Sequence, residues 1–147
     1  MKTAILIENG FEDTEALTTR DILLRSRKME VTLLSGSNQK AATSSSGLII
    51  QTDKGIEEIE EGEFDFLILP GGKKGVENLK ANPEAIALIH SYKKAGKPVY
   101  AICAAPSILG ELGYLDGHSY TCYPGFETAP GYTGLGVSVE EGLITGK

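Results

Sequence analysis

Apolar residues follow two alternating patterns along this chain: short unbroken runs, and longer stretches in which they recur at helical spacing. Residues 3–7 (Thr-Ala-Ile-Leu-Ile) form an unbroken run closed by Glu8-Asn-Gly10, as expected of a strand buried on both faces. From Glu12 the spacing becomes helical, with Ala16, Leu17, Ile22, Leu23 and Leu24 forming the stripe, while Glu12, Asp13 and Glu15 crowd the N-terminal turn where carboxylates are favoured. Residues 30–35 read as a second strand. Residues 36–47 are small and polar, residues 48–52 a further short strand or hairpin arm, and the acidic piece 56–63 a solvated connector.

Phe64-Asp-Phe-Leu-Ile-Leu69 is the next buried run, and it leads directly into Pro70-Gly-Gly72. Helices are predicted over 76–80 and 83–95, the second with Pro83 near its start and Gly96 at its end. The run ending Val99-Tyr-Ala-Ile-Cys103 is a strand that gives way to a helix lasting to about Leu112. Residues 120–123 read as a short strand, 124–136 as a glycine-rich loop, and 137–140 with 143–145 as a final pair turning at Glu141-Gly142. Buried β runs alternating with helices define an α/β protein, a mostly parallel sheet with helices on both faces.

The junction at Cys103 carries the chemistry. Ala101 and Ala105, two before and two after it, are small, as a sharp strand-to-helix elbow needs if its central side chain is to stand clear. Pro106 lies in the first helical turn, where a missing N–H costs little. A thiol facing a helix N-terminus is expected to favour the thiolate, so Cys103 is the candidate nucleophile.

Composition narrows the alternatives. With 147 residues the chain fits one domain that buries roughly 70 % of its unfolded surface. A net charge of −6 argues against a nucleic-acid partner. No apolar run is long enough for a signal peptide or a membrane span, which points to the cytoplasm. Two cysteines and two histidines make neither a disulfide framework nor a zinc site, and no metal is expected.

In an open parallel sheet the loops at the carboxyl ends of adjacent strands line the binding crevice. Residues 10–15, Pro70-Gly-Gly72 and Cys103-Ala104 should meet there, bringing together a thiol, a carboxyl group and backbone N–H donors. Taken singly, each has an ordinary explanation: a cysteine is commonly an inert small hydrophobe, Glu15 a first-turn carboxylate, and Gly71-Gly72 a turn. Their joint placement is what carries information.

Gly10-Phe-Glu-Asp-Thr-Glu15, Leu69-Pro-Gly-Gly72 and Ala101-Ile-Cys-Ala-Ala-Pro106, in that order and spacing, resemble the ThiJ/PfpI superfamily, in the branch of the Parkinson-disease-associated protein deglycase. The resemblance spans essentially residues 1–147 and implies a flavodoxin-like doubly wound fold and a homodimer. It matches Cys103 to the reactive cysteine, Glu15 to the carboxylic acid bonded to that sulfur and acting as general acid/base, and the N–H groups of Gly72 and Ala104 to the oxyanion site. It implies a glyoxalase or deglycase working without cofactor on small carbonyls or glycated proteins, or alternatively a redox sensor or stress chaperone acting through Cys103 oxidation.

Ala104 stands where the protease-like branch has histidine, which argues against peptidase activity, and Tyr123 stands where some relatives have another. His90 is expected to be a packing residue of a helix, and His118 follows a turn. The resemblance also implies a terminal helix beyond Lys147, without which one sheet face is expected to expose an apolar patch.

Overall fold

The unbroken apolar runs pair side by side. The computed structural model, which describes residues 1–147, has the elements β1 (Lys2–Ile7), α1 (Asp13–Arg25), β2 (Glu30–Ser35), β3 (Ala41–Thr43), β4 (Ile49–Gln51), β5 (Lys54–Gly55), β6 (Phe66–Leu69), α2 (Lys73–Lys80), α3 (Pro83–Lys94), β7 (Val99–Ile102), α4 (Pro106–Glu111), β8 (Val137–Glu140) and β9 (Leu143–Gly146). Seven strands form one sheet in the order β5-β2-β1-β6-β7-β9-β8. Only β8–β9 is antiparallel in it, a hairpin closed at residues 141–142. No helix is long and apolar enough to cross a membrane.

Alternation along the strands assigns side chains to two faces. Ala4, Leu6, Leu34, Leu67, Leu69, Val99, Ala101 and Leu143 join a cluster of 22 buried residues with α2, α3 and α4. In α3 the buried Ala85, Ile89 and Tyr92 fall at helical spacing, and the Asn82 side chain accepts the Glu84 and Ala85 N–H groups just before Pro83 opens the helix. Each fully buried Leu or Ile contributes about 1.5–3 kcal/mol. On the opposite face Ile5, Ile7 and Leu33 pack with Phe11, Ala16 and Ala42.

Beyond α1 that second face is open. Phe66, Ile68, Tyr100, Ile102 and Ile144 line an apolar groove of about 490 Å³ flanked by Leu23 of α1.

Several elements depart from the sequence-based expectation. Residues 36–47 contain β3, which pairs with β4 as a separate two-stranded hairpin. The stretch 56–63 is not simply a solvated connector: a 3-10 turn at Ile56–Glu58 buries Ile56, and Lys40–Glu58 and Lys54–Glu63 ion pairs tie the segment down. Helix α2 begins at Lys73 rather than 76, because the Gly72 carbonyl accepts the Val76 N–H at 2.9 Å and extends the helix back to the glycine turn. Residues 120–123 form no strand beyond a single Tyr120–Tyr132 bridge. Their N–H groups diverge instead, Thr121 donating to Thr145 Oγ1 and Tyr123 to the Cys103 carbonyl.

Candidate active site

Three loops at the carboxyl ends of β1, β6 and β7 converge through their backbones. The Glu12 N–H donates to the Gly71 carbonyl at 3.0 Å. A Cβ at Gly10 would lie 2.6 Å from Lys74 Cβ, and one at Gly75 2.8 Å from the Phe11 nitrogen, so the β1 loop and the start of α2 touch along bare backbone. Gly72, at φ +91°, makes the turn between β6 and α2.

Glu12 caps α1, its carboxylate accepting the Glu15 N–H at 2.9 Å, which sets Glu15 in the first helical turn facing β6 and β7. Glu15 Oε2 accepts the Gly71 N–H at 2.5 Å. The first of the two adjacent glycines is needed for space: a Cβ at Gly71 would sit 2.6 Å from Glu15 Oε2 and 2.7 Å from Cys103 Cβ.

Cys103 follows β7 with φ +62°, one of two non-glycine residues in the left-handed region. That conformation costs about 1–3 kcal/mol and is held by surrounding bonds. The Cys103 N–H donates to the Gly146 carbonyl at 2.9 Å, its carbonyl accepts the Tyr123 N–H at 2.7 Å, and Ala105 N–H donates to Ile102 at 3.0 Å. Ala104 and Ala105 are buried, so only small side chains fit the elbow. Helix α4 follows at Pro106 and spans six residues.

The electrostatics correct one expectation. A helix terminus alone should lower the thiol pKa, yet Cys103 is pushed up to about 11, first by burial and then by the Glu15 charge and the bond to it. The N–H groups of Ala104 and Gly72 act on the sulfur in the opposite sense. Glu15 is itself raised, chiefly by burial, against the lowering bonds from Gly71 and the Cys103 thiol. Two half-buried acids in hydrogen-bond contact compete for one proton. With Glu15 ionised Cys103 stays a thiol; with the proton on Glu15 the thiolate receives hydrogen bonds from Glu15, Gly72 and Ala104.

Cys103, Glu15, Gly72 and Ala104 thus lie together where the three loops converge. Neither histidine joins them: His90 Nδ1 bonds the Tyr114 hydroxyl at 2.5 Å, and His118 Nδ1 bonds Glu140 at 2.6 Å. Cys122 is fully buried. No cluster of His, Cys, Asp or Glu is arranged to hold a metal ion. The sequence reading did not single out the Gly71 N–H as the donor that fixes Glu15; its signal was the doubled glycine at the end of β6.

A mostly parallel α/β sheet with a left-handed elbow cysteine and a half-buried carboxyl partner defines a class of cysteine-bearing flavodoxin-like proteins. The chain belongs to the DJ-1/PfpI family, which it matches over residues 1–147. It is 34% identical over 127 residues to a deglycase of Pyrococcus abyssi, covering 86% of this chain and 75% of that protein. Over 120 residues it is 28% identical to the protein/nucleic acid deglycase 2 of Escherichia coli, covering 82% of this chain and 69% of that one. Among solved structures, a DJ-1 superfamily protein from Salmonella typhimurium superposes with a TM-score of 0.91 at 34% identity, over 99% of this chain and 80% of that chain. The oxidized DJ-1 of Toxoplasma gondii superposes at 0.90 with 27% identity, over 99% of this chain and 80% of that one.

Proposed function

We propose that this protein is a cysteine-dependent glyoxalase or deglycase that forms a hemithioacetal at Cys103. The contact of Glu15 with both the Gly71 N–H and the Cys103 thiol carries this reading, because it supplies a nucleophile and a proton acceptor that share one proton. Relatives named deglycases support the reaction class.

In the reaction the Cys103 sulfur adds to the aldehyde carbon of a 2-oxoaldehyde, and the thiol proton passes through Glu15 to the carbonyl oxygen. The N–H groups of Gly72 and Ala104 stabilise the oxyanion as it forms. Glu15 then removes the proton from the former aldehyde carbon and returns it to the neighbouring carbon. The first carbon is oxidised and the second reduced, which leaves a thioester of a 2-hydroxy acid. Water hydrolyses the thioester and restores the thiol, so the sum is addition of one water. The steps call on no metal, nucleotide or glutathione.

Methylglyoxal turnover by wild type, Cys103→Ser and Glu15→Gln tests this. Wild type should convert it, Cys103→Ser should not, and Glu15→Gln should lose about 10²–10⁴-fold. Wild type no faster than Cys103→Ser would overturn the reading.

A redox-sensing role is the second reading, favoured by the contrast between half-exposed Cys103 and fully buried Cys122 and by a solved relative described as oxidized. Mass spectrometry after mild peroxide, showing selective Cys103 oxidation with negligible turnover, would establish it. The family resemblance adds a homodimer, which sedimentation equilibrium tests.

A further inference from the structure

We propose that Tyr123 and Phe126 form an aromatic wall beside Cys103 that selects 2-oxoaldehydes bearing an aryl or other flat apolar substituent over methylglyoxal. This rests on the reading of Cys103 as a carbonyl-directed nucleophile and names its substrate class. The Tyr123 N–H donates to the Cys103 carbonyl at 2.7 Å, so the two residues are bonded neighbours although they stand twenty positions apart in the chain. Phe126 N–H donates back to the Tyr123 carbonyl at 3.1 Å, and the two rings meet edge to face with centroids 6.3 Å apart. Phe126 packs against the main core, whereas Tyr123 is 54% exposed and presents its ring to solvent.

The wall is rigid. Its loop is pinned where the Tyr120 hydroxyl donates to Ala129 O at 2.7 Å and accepts Ala129 N–H at 3.1 Å, and where Thr128 Oγ1 donates to Ser107 O at 3.3 Å. A preordered aromatic surface binds flat apolar groups at little entropic cost. The charge environment selects the same way: the Glu15 carboxylate acts on the Cys103 sulfur and would repel an anionic substituent.

Two readouts test the wall. Cys103 alkylation by N-phenyl- and N-methyl-iodoacetamide, located by peptide mass spectrometry and divided by the same ratio for free glutathione, reports recognition without turnover. The phenylglyoxal to methylglyoxal ratio of kcat/KM reports it during reaction. Both ratios should favour phenyl by about tenfold in wild type, collapse in Tyr123→Ala and Phe126→Ala, and persist in Tyr123→Phe, which keeps the ring. An alkylation ratio equal to that of glutathione, or one unchanged in Tyr123→Ala, would overturn the wall. Turnover without aryl preference would overturn the wall alone. A phenyl preference in alkylation with no turnover of either aldehyde would support the wall and overturn the enzymatic reading.

Discussion

The Gly71 N–H donates to Glu15 Oε2 at 2.5 Å, and the hydrogen atom that serves as the Gly71 side chain leaves just enough room for Glu15 and Cys103 to meet over it. One residue therefore both aims the carboxyl group and makes space for its contact with sulfur. The partnership depends on the first turn of α1 meeting the loop that follows β6.

Gly71→Ala should consequently separate the pair. Its Cβ would fall 2.6 Å from Glu15 Oε2 and 2.7 Å from Cys103 Cβ, closer than carbon and oxygen tolerate. Overpacking of this kind costs about 1–3 kcal/mol. Thermal unfolding should show a lowered Tm, and methylglyoxal turnover should fall by more than the loss of folded protein accounts for.

Glu15→Gln removes a charge and a bond that push the Cys103 pKa toward about 11, leaving burial as the opposing influence. Thiolate absorbance near 240 nm, followed with pH, should show the alkaline step of wild type move downward in Glu15→Gln. An unmoved step would separate Glu15 from the thiol.

The same carboxyl group leaves a mark on stability. Burial raises Glu15 above its unfolded value, so between the two values the native state binds more protons than the unfolded state. Stability should then fall as pH rises through that window, the opposite of an ion-paired carboxylate. Urea titrations of wild type and Glu15→Gln across the acidic range should differ by this slope, with Glu15→Gln the flatter.

Tyr120 is fully buried with a hydroxyl that donates to Ala129 O and accepts Ala129 N–H and Thr128 N–H. Tyr120→Phe strands those backbone groups, at about 1–3 kcal/mol. Hydrogen exchange should show faster amides at residues 124–136, with β1 and β6 unaffected.

The order of strands and helices was legible because strands buried on both faces appear as unbroken apolar runs and helices keep their own period. The runs ending at Ile7, Leu69 and Cys103 became neighbouring strands β1, β6 and β7, the last of them stopping at Ile102. The elbow was legible too, since Ala101, Ala105 and Pro106 permit little else around Cys103. Residues 120–123 misled because two tyrosines flanking Thr121 and Cys122 describe a strand only if a ladder partner is available, and here the Thr121 and Tyr123 N–H groups are taken by Thr145 and Cys103. Of the hairpin β3–β4, the arm at residues 48–52 was legible, whereas β3 was hidden because it is three small residues in a polar stretch, of which only Ala42 reaches the core beside Ile50.

By itself the sequence determined the α/β class and the three loops, because these follow from local periodicity, and it marked Cys103 at the elbow; the choice of Glu15 among the carboxylates of the first loop came from the family resemblance. Only the tertiary structure decided that Gly71 aims Glu15, that Tyr123 is bonded to Cys103, and that the thiol pKa is raised rather than lowered. Those outcomes depend on distances and burial between segments far apart in the chain, and a one-dimensional pattern encodes neither.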